Sequence, residues 1–221
     1  MTLEGRIPPR GWFVTGADTD VGKTHVMMQL LRSRSAGMRW GAYKPVASGA
    51  MANNPLSDVH RLWSALDATV PLDWICPQVF EAPLAPALAA EREGKTVDLN
   101  LIFEGLCIWN GKCDAILVEG AGGLLSPITM TETNADIAKQ LGYPLIVVVA
   151  NRLGAVHQAL STLLSAQHLG LEVDRLILND VHPMESTVFE NHRRLLESAG
   201  PRLLKQLPNI EYFRHGSLPA D

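Results

Sequence analysis

Cysteine is scarce in this 221-residue chain. Cys76, Cys107 and Cys113 are an odd number without C-x-x-C spacing. Such a set supports neither a disulfide framework nor a zinc site and reads as reduced core or surface thiols. Long hydrophobic runs are missing too. The longest strongly apolar stretch, 145–150, falls far short of the roughly 20 residues a membrane span requires, and residues 1–10 lack the apolar stretch of a signal peptide. Nor does one charge dominate: 19 Lys and Arg against 23 Asp and Glu leave a net charge of −4, with no run of like charges to hold a polyphosphate backbone or an acidic membrane. Nucleic acid and membrane are thus poor first readings as partners, and the chain is expected in the cytoplasm. The seven histidines show neither H-x-x-x-H nor H-E-x-x-H spacing and are assigned to surface or packing roles.

What is present is apolar residue enough for a core: 47% of the chain is hydrophobic and 19% charged, which argues against disorder. The length suits one globular unit over 11–221. Residues 1–10, with Pro8 and Pro9, read as an N-terminal extension of a kind that is often disordered.

Short, continuous apolar runs at 12–14, 115–118, 145–149 and 176–178 read as strands covered on both faces, as in a parallel sheet flanked by helices. Weaker strand signals lie at 41–43 and near Leu203 and Leu204. Helical patterns fill the intervals at 23–35, 58–66, 99–109, 135–141, 155–169 and 186–198. The alternation predicts an α/β fold with a doubly wound, mostly parallel sheet and helices on both faces, its ligand lying at the carboxyl ends of the strands. Residues 71–86 hold Pro71, Pro77, Pro83 and Pro86 and are expected to wrap the sheet as an irregular excursion.

The strongest chemical signal is Gly16-Ala17-Asp18-Thr19-Asp20-Val21-Gly22-Lys23-Thr24, between a strand and a helix. Backbone N–H groups of such a turn, with the positive end of the helix, converge on an anion. Lys23 can then reach the outer phosphates, and the Thr24 hydroxyl can ligate Mg²⁺. The loop is a variant with one extra residue: the usual phosphate-loop spacing needs glycine at position 17, where Ala17 stands. Lys44, in Tyr43-Lys44-Pro45-Val46-Ala47-Ser48-Gly49, follows a strand where the crevice should lie, and Ser48 offers a donor and an acceptor. A solvated lysine is the competing reading. Glu119 opens a glycine cluster with Gly120, Ala121, Gly122 and Gly123, whose bare backbone allows a phosphate or substrate to approach closely. Asp58 is either a metal ligand or the cap of its helix. With Thr24 and Glu119 it would form an ordinary oxygen set for Mg²⁺ beside ATP. The helix start at Gly154, Ala155 and Val156 is a second anion site or an uncapped end facing water. Asn179, followed by Asp180, could pair with a purine edge or serve as a turn residue.

Taken together, the segments 16–24, 43–49 and 118–123 with Asn179 and Asp180 resemble the dethiobiotin synthetase family over nearly the whole chain after residue 10. The resemblance implies a homodimeric fold of variant P-loop NTPase type that uses ATP and Mg²⁺. Its reaction closes the ureido ring of dethiobiotin from 7,8-diaminononanoate and CO₂. It assigns Asp20, Val21, Gly22, Lys23, Thr24 and His25, with Gly120 to Gly122, to the nucleotide. It assigns Thr24, Asp58 and Glu119 to Mg²⁺, and Lys23, Lys44, Thr19 and Ser48 to catalysis around the carbamate and the phosphoryl group. Asn179, Asp180 and a turn at Pro208, Asn209 and Ile210 match the adenine-binding positions. Gly154, Ala155 and Val156 match a region that receives the substrate carboxylate across the dimer interface. Asp20 stands where the family often has glutamate, Ala17 replaces a frequent threonine, and 184–191 match poorly. Partitioning ATPases resemble this fold too, but they usually carry a second lysine five residues before the phosphate-loop lysine, where this chain has Asp18. A related amide-forming ligase would normally need a glutaminase domain.

Overall fold

A computed structural model describes residues 3, 5–33, 37–49, 54, 57–180 and 186–213, with only the backbone of 186–191. The stretch 184–191 therefore lies outside the described side chains. The order is β1 (Gly11–Gly16), α1 (Lys23–Arg32), β2 (Trp40–Tyr43), β3 (Val46–Ser48), α2 (Asp58–Ala65), α3 (Leu72–Ile75), β4 (Gln78–Phe80), α4 (Pro86–Arg92), α5 (Leu99–Cys107), β5 (Ala115–Gly123), α6 (Asn134–Leu141), β6 (Leu145–Ala150), α7 (Ala155–His168), β7 (Val173–Asn179), α8 (Ser186–Leu203) and β8 (Asn209–Phe213).

Six strands form one sheet in the order β2-β5-β1-β6-β7-β8, and every pairing in it is parallel. All of β6 is buried, as is most of β1. That explains why these strands read as continuous apolar runs: helices cover both faces, so no position alternates toward water. From β1 the chain goes to β2 on one side, whereas from β6 it goes to β7 on the other. The carboxyl ends at this reversal form the crevice in which open α/β sheets take their ligands.

Helix boundaries follow local chemistry. The Asp98 carboxylate accepts the Asn100 and Leu101 N–H groups to start α5, and a reciprocal pair between Thr133 and Asp136 starts α6. Leu3 is buried, Asn110 donates to the Gly5 carbonyl, and the Tyr143 hydroxyl donates to the Pro8 carbonyl.

Three expectations need correction. Leu203 and Leu204 are not a strand: the Leu204 N–H bonds back to the Gly200 carbonyl, so they finish α8, and the last strand is β8. Residues 71–86 are more regular than their prolines suggest. Pro71 precedes α3, Pro86 is the first residue of α4, where its missing N–H costs nothing, and β4 between them pairs with β3. Glu119 does not end its strand: β5 runs on through the glycines to Gly123, which lies beside Gly16 of β1.

Candidate active site

The phosphate loop is shaped by where it can turn. A Cβ on Gly16 would lie 2.4 Å from the Asp18 carbonyl oxygen, so only glycine lets the chain fold back there. Gly22 (φ 84°) then begins α1 without any side-chain cap. The first N–H groups of a helix have no partner within it, and an anion completes them.

Of the residues singled out above, Thr19, Asp20, Gly22, Lys23, Thr24, His25, Lys44, Ser48, Asp58, Glu119, Ala121 and Gly122 line one cavity of about 510 Å³. Its centre is a charge cluster drawn from four elements. Lys44 Nζ stands 2.5 Å from Glu119 Oε1 and 3.4 Å from Asp58 Oδ2. The Thr24 hydroxyl donates to both Glu119 oxygens, at 2.9 and 3.0 Å. Lys44 sits just past β2, where its N–H donates to the Ile75 carbonyl and fixes the backbone. Asp58 is the first residue of α2, and Ser57, not Asp58, is its cap.

These groups set one another's protonation. Burial works against the Lys44 charge, but the adjoining Glu119 and Asp58 carboxylates outweigh it and hold the ammonium above its usual range. Lys23 has the opposite balance: burial, helped by Lys44, lowers it despite nearby carboxylates. For Asp58 burial works against the charge, but the adjoining Lys44 ammonium outweighs it and holds the carboxyl below the usual range. Cys76, close by, is no nucleophile, because burial pushes its thiol up to about 12. Thr24, Asp58 and Glu119 offer hard oxygen donors suited to Mg²⁺. Among the described residues no group of three or more His, Cys, Asp or Glu could hold a metal by itself, so an ion here needs phosphate oxygens and waters to complete its shell.

Asn134 was not foreseen. It is 1% exposed, and its amide donates to the Ala121 and Gly123 carbonyls (2.6 and 2.7 Å) while its oxygen accepts the Ala121 N–H (3.2 Å). A Cβ on Gly120 would meet that oxygen at 2.6 Å, which gives this glycine its reason.

A family model described as an AAA domain matches residues 10–215. An ATP-dependent dethiobiotin synthetase BioD from Anaeromyxobacter sp. (strain K) is 46% identical over 175 residues, covering 79% of this chain and 78% of that protein. One from Bacillus cereus (strain B4264) is 39% identical over 203 residues, covering 90% and 83%. The chain belongs to the dethiobiotin synthetase family. Another relative of the same name, from Rhodopirellula baltica, is 40% identical over 80% of this chain and 75% of its own length. A crystal structure of a ParA family ATPase from Chlorobium tepidum TLS shares the fold with a TM-score of 0.53 at 12% identity, covering 94% of this chain and 85% of that one. The architecture is thus that of the P-loop NTPases.

The positions that the family resemblance assigned do not all meet at the cavity. Asn179 is buried on the other side of the phosphate loop. Its amide donates to the Val21 carbonyl at 2.9 Å, while its oxygen is buried with no partner among the described residues. That acceptor suits an amino group such as adenine carries. Asp180 takes a hydrogen bond from Asn151 and pairs through its N–H with Phe213. Pro208, Asn209 and Ile210 are not brought there. Asn209 and Ile210 begin β8 beside Arg175 and Leu176, about 10–13 Å down the ladder from Asn179 at roughly 3.3 Å per residue. The helical end of α8 pushes the strand later in sequence, which moves these three to its amino end. Gly154 to Val156 begin α7 outside the cavity, next to Leu153, which is 98% exposed. The Ala155 N–H is used by the Arg152 carbonyl. Asp18 turns toward α7, accepting from Gln158 at 3.0 Å with Arg152 at 3.8 Å. No helix among the described residues is long and apolar enough to cross a membrane.

Proposed function

We propose that this ATP-dependent ligase of biotin synthesis closes the ureido ring of dethiobiotin from 7,8-diaminononanoate and CO₂, releasing ADP and phosphate. The observation that carries this reading is the Lys44 ammonium seated between Glu119 and Asp58, beside Lys23 and Thr24, in one cleft below an uncapped helix start. One amine of the substrate takes CO₂ as a carbamate, the carbamate oxygen accepts the γ-phosphoryl group, and the second amine attacks the mixed anhydride. The ring closes as phosphate leaves. The carbamate and the triphosphate are both anions that must approach each other, so the cleft must offset their charge.

Lys23 and the loop amides, over Asp20 to His25, hold the triphosphate. Lys44, raised in pKa by its carboxylate neighbours, stays cationic and stabilises charge spreading over the phosphoryl group and the carbamate, without forming a covalent bond. Thr19 and Ser48 orient the carbamate with their hydroxyls, and the Gly120 to Gly122 backbone lets the reactants come close. Asn179, with Asp180 beside it, selects the base. When bound, Mg²⁺ would be held by Thr24, Asp58 and Glu119 and would neutralise phosphate charge. Gly154, Ala155 and Val156, lying away from their own cavity, receive the substrate carboxylate in a homodimer. Holding that distant group orients the two amines at the reacting carbon. Residues 11–221 act as one ATP-binding domain in this scheme.

The test is direct. Protein, Mg-ATP, labelled bicarbonate and 7,8-diaminononanoate should yield a labelled cyclic urea and stoichiometric ADP. Unlabelled product, or ATP turnover indifferent to the diamine, would remove the proposal.

A further inference from the structure

Arg61 lies one helical turn beyond Asp58 on α2, and both face the nucleotide cavity. Its guanidinium stands 3.8 Å from Asp58 Oδ1, while Lys44 holds the other oxygen of that carboxylate at 3.4 Å. A separation of 3.8 Å is an attraction of charges, longer than a hydrogen bond. Among the described residues the guanidinium makes no other ion pair. Its five donors thus rest at the cleft with a single, loosely held carboxylate, and its side chain is 39% exposed, partly open to an incoming group.

The charge of the cleft gives this cation a purpose. Lys23, Lys44 and Arg61 face Asp20, Asp58 and Glu119 around the cavity, three cations against three carboxylates. Without Arg61, a phosphoryl group reaching α2 would meet the Asp58 carboxylate with only Lys44 to offset it.

The topology says which part of the ligand Arg61 meets. Asn179 ends β7, two strands to one side of β1, whereas Lys44 follows β2, two strands to the other side. A nucleotide with its base near Asn179 and its phosphates over the β1–α1 loop directs its outermost phosphoryl group toward β2 and α2. On the nucleotide reading above, we propose that Arg61 is a substrate-binding residue that grips the terminal, transferable phosphoryl group, so that the cleft prefers a triphosphate to a diphosphate. Asp58 parks the guanidinium at the edge of the cleft. A phosphoryl group offers it two oxygens in the forked geometry it matches, and draws it away.

Calorimetric titration of Arg61→Gln and Arg61→Lys with ADP and with a non-hydrolysable ATP analogue, both with Mg²⁺, tests this without turnover. Loss of a charge-assisted pair should weaken the analogue by about tenfold in Arg61→Gln, leave ADP within about twofold, and be partly restored by Arg61→Lys. Equal weakening of both nucleotides, no change, or tighter binding of both would overturn the assignment. Tighter binding would mean that Arg61 serves only as a counter-ion to Asp58. Wild-type protein that binds neither nucleotide would remove the nucleotide reading and this inference together. Wild-type binding with an unselective Arg61→Gln would remove the inference alone.

Discussion

Lys44 keeps its charge although it is buried, and two carboxylates make that possible. Replacing it with glutamine should therefore do two separable things. Turnover should fall by about a hundredfold or more, as for other groups that meet developing charge, while nucleotide affinity changes by less than about threefold. Stability should also fall, by about 3–5 kcal/mol, because Glu119, 1% exposed, loses its ammonium partner. Adding Glu119→Gln should recover much of the melting temperature and none of the rate. Lys23 sets the alkaline limit. Its pKa lies below the ordinary 10.5 because it is buried, and only its protonated form attracts phosphate. Affinity for a triphosphate analogue should decline as pH rises through that lowered value, and Lys23→Arg should show no such decline. For stability, burial makes a charged Lys23 a penalty that fades as pH rises. Asp58 has the opposite sense. Its depressed pKa gives stability present above the ordinary carboxylate value and lost as pH falls below it, so denaturant titrations of Asp58→Asn should show a shallower acid limb.

At the scale of elements, the strand that supplies Glu119 depends on a helix start. Asn134 spends its whole carboxamide on Ala121 and Gly123. Asn134→Ala should cost about 1–3 kcal/mol by stranding those backbone groups, measured by urea denaturation. A similar dependence holds β2 in place. A Cβ on Gly105 would stand 2.4 Å from the Tyr43 hydroxyl, which donates to the Leu101 and Ile102 carbonyls. Gly105→Ala should thus destabilise by about 1–3 kcal/mol through overpacking. It should also lower turnover, because Tyr43 precedes Lys44. Neither Asn134 nor Gly105 stood out in the sequence. Asn134 reads there as an ordinary polar residue, and only the fold places its amide against Ala121 and Gly123, 13 and 11 positions away. The phosphate loop was legible because strand, turn and helix are contiguous in it. Lys44 was legible as a residue after a strand and Glu119 as the head of a glycine cluster, but their meeting across 75 positions was not. The end of α8 was misread because two leucines suit a helix turn as well as a strand, and the start of β8 was misplaced with it.

For the whole molecule, ligand linkage gives a prediction. A true substrate binds only the folded chain, so 7,8-diaminononanoate at about a hundred times its dissociation constant should add about 2.7 kcal/mol and raise the melting temperature. Short apolar runs betrayed buried parallel strands, yet nothing in them announced the spatial order. In that order β1 lies between β5 and β6, so Val14 neighbours Glu119 and Ile146 although roughly a hundred residues or more of chain intervene. Pairings so distant in sequence fold slowly. During synthesis, the loop that would cradle phosphate is made first but has no floor beneath it until β5 leaves the ribosome. ATP therefore cannot act as an early template for this chain, and can reward only a sheet that is already assembled.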